Sequence, residues 1–146
     1  LFALVIFSPY DLFCRQGQEE EMAGWVPPRN KFELDQLTQI SDNDHEFEED
    51  LFGAYKDELV VLLNNLEPLL SKDNKTEEEH KTCERLAHDV KGSSNNVGAI
   101  GVGAVGKEME EFAKQRKYAA VLELMPTVRK EFEEMCKIWE EYKATW

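Results

Sequence analysis

The chain has 146 residues, 42% hydrophobic and 32% charged, which is room for one compact domain with a sizeable core. Its 17 lysines and arginines stand against 30 aspartates and glutamates, a formal net charge of -13. That acidity repels a phosphodiester backbone or an anionic bilayer, so nucleic-acid and membrane-surface binding are poor readings.

The opening run Leu1-Phe2-Ala3-Leu4-Val5-Ile6-Phe7 is intensely apolar. It is far shorter than the ~20 residues that span a bilayer, and no basic region precedes it. Met22 would make a natural start for the remainder of the chain, and residues 1–31 are read as an N-terminal appendage. The cysteines, Cys14, Cys83 and Cys136, are odd in number and lack the close spacing of a zinc or redox motif. Reduced thiols in an intracellular protein are expected, with Cys83 and Cys136 at helix positions that suit burial.

After Pro27-Pro28 the pattern turns helical, and residues 32–146 are read as one domain. Phe32, Leu34, Leu37 and Ile40 predict a short helix, ended by the turn-forming run Ser41-Asp42-Asn43-Asp44. Leu51, Phe52, Tyr55, Leu59, Leu62, Leu63, Leu66, Leu69 and Leu70 then recur at threes and fours, the mark of one buried helical face. Residues 71–76 read as a loop, and Thr76 with Glu79 as a capping box opening a third helix, from about Glu77 to about Ile100. Glycines at 98, 101, 103 and 106 are expected to mark its end and a turn. Val105, Met109 and Phe112 share a face of a fourth helix that stops near Arg116. Val121, Met125, Val128, Phe132, Met135, Trp139 and Tyr142 carry the last helix, with a kink or fresh start expected at Pro126. No segment alternates as a half-buried strand would. The fold class is therefore all-α, an antiparallel four-helix bundle with an additional short N-terminal helix.

On a wheel of about 100° per residue with His88 at zero, Leu86, Val90 and Val97 fall at roughly 160–200° and define the core side. His88 therefore points outward. Lys81, Glu84, Arg85, Lys91, Gly92 and Asn95 lie within about 60° of it. A helical histidine is most often a satisfied structural residue. Here it stands above Gly92, where glycine costs about 1 kcal/mol of helix stability relative to alanine. Clearance is one physical reason: with no side chain at 92, another protein can closely approach a group carried on the ring. Lys91 can reach phosphoryl oxygens as a point charge, and Lys81 and Arg85 make the face locally basic on an acidic chain. Neutral imidazole is nucleophilic near pH 7, which suits a carrier.

The run His88-Asp89-Val90-Lys91-Gly92-Ser93-Ser94-Asn95-Asn96-Val97-Gly98-Ala99 resembles the signature of histidine-containing phosphotransfer (HPt) domains. The features are histidine, two residues, lysine, glycine, a small pair, then an aliphatic-glycine-alanine run. The resemblance extends more weakly from about Phe32 to Tyr142, and the single-domain layout looks most like stand-alone phosphotransfer proteins of eukaryotic multistep relays. It implies that His88 is the phosphoacceptor through its outer ring nitrogen, Lys91 the phosphoryl-stabilising cation and Gly92 the steric gap. It implies that Gly98 lets a neighbouring helix pack closely, and that Glu110, aligned where the family places an amide or carboxylate, orients the imidazole. Partner contacts are expected at Lys81, Glu84, Arg85, Asn95 and Asn96. The implied partners are receiver domains of a hybrid sensor histidine kinase and of response regulators. The implied state is a monomeric, cytoplasmic phosphocarrier, with the nucleus as a further location. No cofactor or metal of its own is expected; the magnesium these transfers need would sit in the receiver.

Other signals have simpler explanations. Gly101-Val102-Gly103-Ala104-Val105-Gly106 has dinucleotide-binding spacing, but a helix rather than a strand precedes it. Glu77 and His80 have the spacing of a di-iron motif without its partner motif, which weakens a metal-binding bundle enzyme. His45 and the acidic run over residues 42–50 read as solvated surface. No ATP-binding loop or kinase motif is visible. The chief rival is a scaffold that binds receivers without carrying phosphate, against which an intact His88 and Lys91 argue.

Overall fold

The structure, a computed structural model, describes residues 24–146. The readings of the apolar start, Cys14 and Met22 lie outside the described residues. Among them five helices follow one another: α1 Leu34–Ser41, α2 His45–Ser71, α3 Glu77–Asn96, α4 Ile100–Lys114 and α5 Tyr118–Lys143. Among the described residues there is no strand. Short connections turn α2, α3, α4 and α5 back on one another in antiparallel order, and α5 closes the bundle against α2. α1 leans on α2.

The four bundle helices bury most of the stripe that their spacing predicts, whereas in α1 only Leu37 of the expected set is buried, Phe32 precedes the helix and Ile40 is exposed. Phe52, Tyr55, Leu59, Leu63 and Leu66 of α2 meet Leu86 and Val90 of α3, Met109 of α4, and Val121, Met135 and Trp139 of α5 in one core. Phe52 and Trp139 stack at 4.3 Å between ring centroids. The capping box forms as expected: Glu79 N–H donates to Thr76 Oγ1 at 3.1 Å, and Thr76 N–H to Glu79 Oε1 at 2.8 Å. α5 runs unbroken through Pro126, so no second helix starts there. Cys83 is buried and Cys136 half-buried, and burial pushes both thiols above their ordinary pKa.

Three expectations are corrected. α3 ends at Asn96 rather than near Ile100, and α4 begins at Ile100, so Gly101, Gly103 and Gly106 are helical and only Gly98 belongs to the turn. Gly98 has φ +82°, a left-handed conformation that a side chain resists. Its carbonyl accepts the Glu33 N–H at 2.7 Å, so it makes room for the segment before α1 rather than for a helix. The acidic run read as surface is partly core. Asp44 caps α2 by accepting the Phe47 N–H, and Glu48 in the first turn is fully buried.

Of residues 1–31, the described part lies against the bundle. The Trp25 indole donates to Glu141 at 3.2 Å, and Lys31 bridges Glu131 at 2.7 Å and Glu134 at 3.0 Å. The Lys31 carbonyl also accepts the Gly101 N–H, one of the donors left open at the start of α4.

Candidate functional site

The site is built where α3 and α4 pack backbone to backbone. A Cβ on Gly106 would stand 2.8 Å from the Lys91 backbone nitrogen and 3.0 Å from its Cα. Glycine at 106 is thus what allows the two backbones to approach at this level. Glu110, four residues further along α4, lies on the same face of that helix. Close packing brings its side chain under His88 and Lys91.

The geometry is compact. His88 Nδ1 lies 2.9 Å from Glu110 Oε2, and Lys91 Nζ lies 2.9 Å from Oε1. Lys114, one turn beyond Glu110 on α4, places its Nζ 3.5 Å from Oε2. The Glu110 side chain is 8% exposed and the His88 side chain 57%. Burial pushes the Glu110 pKa up, but hydrogen bonds from Lys91 and His88 outweigh it and hold the carboxyl below its ordinary value. An ionised carboxylate only accepts hydrogen bonds. The proton of a neutral ring is therefore held on Nδ1, and the lone pair is left on Nε2. This exposed imidazole opens on a shallow depression of about 290 Å³ lined by Lys81, Glu84, Arg85, His88, Glu110 and Lys114.

Gly92, one turn on from His88, faces open space: a Cβ there would meet nothing within 4 Å. The chain's own packing does not demand glycine at this position. Lys81, Glu84 and Arg85 join His88 around the depression, whereas Asn95 and Asn96 do not. Asn95 is wedged at the α3–α4 seam, where a Cβ on Gly103 would come within 2.0 Å of its Oδ1. Asn96 lies on the α2 side, in a small groove with Glu58 and Ser93. Next to that groove the Tyr55 and Ser94 hydroxyls bond at 2.8 Å in the interior, anchoring α3 to α2. Glu77 and His80 are otherwise engaged: Glu77 pairs with Arg116, and His80 Nδ1 meets the Tyr118 hydroxyl at 2.5 Å. Among the described residues, no three His, Cys, Asp or Glu side chains are grouped to hold a metal ion. Sequence reasoning missed Lys114 and the packing role of Gly106. The four-residue spacing from Glu110 would have pointed to the former.

A helical bundle that presents an exposed histidine on a depression, with its inner nitrogen held by a buried carboxylate and a glycine one turn on, defines a class of histidine-bearing bundle proteins. The chain belongs to the Hpt domain family, whose model matches residues 50–138. It is 32% identical over 123 residues to the phosphorelay intermediate protein rdeA of Dictyostelium discoideum. That match covers 82% of this chain, but the chain spans only 45% of the relative's length. The fold is also that of a rice protein classed as a histidine-containing phosphotransfer protein, with a TM-score of 0.71 at 18% identity, over 88% of this chain and 92% of that one.

Proposed function

We propose that this chain is a histidine phosphocarrier of a multistep phosphorelay, taking a phosphoryl group from a receiver-domain aspartate onto His88 and passing it to a second receiver. The observation that carries this reading is the contact between the exposed His88 ring and the buried Glu110 carboxylate. It leaves the Nε2 lone pair facing outward. In the forward step that lone pair forms a bond to phosphorus while the bond from phosphorus to the aspartyl oxygen breaks, and the electron pair leaves with the carboxylate. The proton stays on Nδ1. The ring becomes cationic as it is phosphorylated, and Glu110 stabilises that charge from below. The return step reverses these movements, and a cationic imidazole is a good leaving group. Catalysis of this kind rests on positioning and charge, so the chain acts as a stoichiometric carrier rather than a kinase.

Its partners on this reading are receiver domains of a hybrid kinase and of response regulators, met by a monomer in the cytoplasm or nucleus. Lys81 and Arg85 supply positive charge at the rim for an acidic receiver pocket, and the open space at Gly92 lets that pocket approach the ring. The test is incubation with a radiolabelled phospho-receiver. Acid-labile, alkali-stable label should move to the native chain and be absent from His88→Gln. Binding without transfer across a panel of receivers would leave the scaffold reading in its place.

A further inference from the structure

Three cationic or proton-donating groups converge on one carboxylate, and they are not held alike. Lys91 sits 2.9 Å from Glu110 Oε1 and is 29% exposed. His88 and Lys114 share the other oxygen, Oε2, at 2.9 Å and 3.5 Å, and the Lys114 side chain is 55% exposed. Lys91 is thus tied to the acid, while Lys114 is the loosely held member of the set. It also lines the same depression onto which His88 opens.

We propose that Lys114 is a second phosphoryl-holding residue, released from Glu110 as His88 is phosphorylated and turned onto the phosphoryl oxygens. The inference rests on the reading of His88 as phosphoacceptor. Its physical basis is competition for Oε2. A neutral ring with its proton on Nδ1 leaves Glu110 able to attract Lys114. Once Nε2 has bonded to phosphorus, the ring carries a positive charge at 2.9 Å from that same oxygen, and Lys91 still neutralises Oε1. Two cations then already face one carboxylate, so a third is held more weakly. At the same moment a group of charge about -2 appears across the depression. Lys114 therefore loses attraction on one side and gains it on the other, with four rotatable bonds to make the move. Lys91, by contrast, is fixed by Oε1 in both states and meets the phosphoryl group from where it already stands.

The test uses phosphoramidate, a small donor that needs no receiver: its P–N bond breaks, phosphorus bonds to Nε2, and ammonia leaves. The full chain, Lys114→Gln, Lys114→Arg and the remote surface control Lys130→Gln are phosphorylated and followed by 31P NMR. In Lys114→Gln the titration midpoint of the phosphoryl group should rise by about half a pH unit, because one contacting cation is gone. The phosphorylation rate should fall about tenfold, while Lys114→Arg and Lys130→Gln stay near native. The Nδ1–H resonance of unphosphorylated Lys114→Gln should not move, because the Glu110 contact remains. An unchanged phosphoryl midpoint in Lys114→Gln, with His88 phosphorylated normally, overturns the role of Lys114 alone. Native chain that takes no phosphoryl at His88 overturns the carrier reading and this inference with it.

Discussion

Among the described residues there are two histidine–carboxylate contacts of nearly equal length, and they are built for opposite ends. At the α3–α4 seam, Glu110 holds His88 at 2.9 Å, beside two lysines and an open depression. In the first turn of α2, Glu48 holds His45 Nδ1 at 3.0 Å, and its remaining partners are neutral hydroxyls: Ser41 donates at 2.5 Å and Tyr142 at 2.8 Å. Glu48 is fully buried, and the His45 ring, 43% exposed, stacks one face on Trp146 at 4.3 Å. The Tyr142 phenol is pushed above its ordinary pKa, first by burial and then by its bond to the Glu48 carboxylate. One contact joins α1, α2 and α5 and closes an aromatic cap over itself. The other leaves its imidazole with no ring stacked on it, opening on the depression. What separates a staple from an open site here is not the pair but what surrounds it: hydroxyls and indole in one case, two lysines and a glycine gap in the other.

The contrast breaks most sharply on stability. Glu48→Ala leaves the buried Ser41 and Tyr142 hydroxyls without their acceptor, which should cost about 3 kcal/mol in urea unfolding. Glu110→Ala should cost less than about 1 kcal/mol, because the exposed His88 and Lys114 can turn to water. Equal losses at the two positions would mean that the His88 site is as structural as the Glu48 one.

The two glycines of the site sharpen the comparison at smaller cost. Gly106→Ala places a Cβ against the Lys91 backbone, so the helices must part; a loss of about 2 kcal/mol is expected, together with a longer His88–Glu110 contact. Gly92→Ala meets nothing, so it should stabilise the chain by up to about 1 kcal/mol through helix propensity. If clearance for a partner is the reason for glycine there, the same substitution should slow transfer from a receiver while leaving phosphorylation by a small donor intact. Thermal melts and the two transfer assays, run side by side, separate these effects.

The helices and the exposed His88 were legible because their signals are local. Apolar residues at threes and fours reveal a buried stripe whatever it packs against, and the motif beginning at His88 is contiguous. What depended on two distant segments was not legible. Glu48 lies within an acidic run that looks solvated, and its partner Tyr142 is 94 residues away. The glycines of α4 looked like a turn because glycine weakens an isolated helix. Here Gly103 and Gly106 instead admit Asn95 and the Lys91 backbone from α3, and tertiary packing offsets the propensity penalty. The placement of Glu110 followed from resemblance, whereas its hold on Lys91 and Lys114 depends on the register between two helices.

The smallest expected effect is also the most specific to the site's charge. Hydrogen bonds from Lys91 and His88 hold the folded-state pKa of Glu110 below its ordinary value despite burial. A carboxyl depressed in the folded state binds its proton less readily there than in the unfolded chain. Its contribution to stability is therefore fully present above the ordinary carboxylate pKa and is lost as pH falls through the depressed folded value. Glu110→Gln carries no such group. At neutral pH it should unfold at slightly lower urea than the native chain, and the two midpoint curves should draw together as the solution is acidified through the carboxylate range. Curves that stay parallel throughout would show that the Glu110 charge contributes nothing net to the fold. In that case the lysines beside it are there for the phosphoryl group alone.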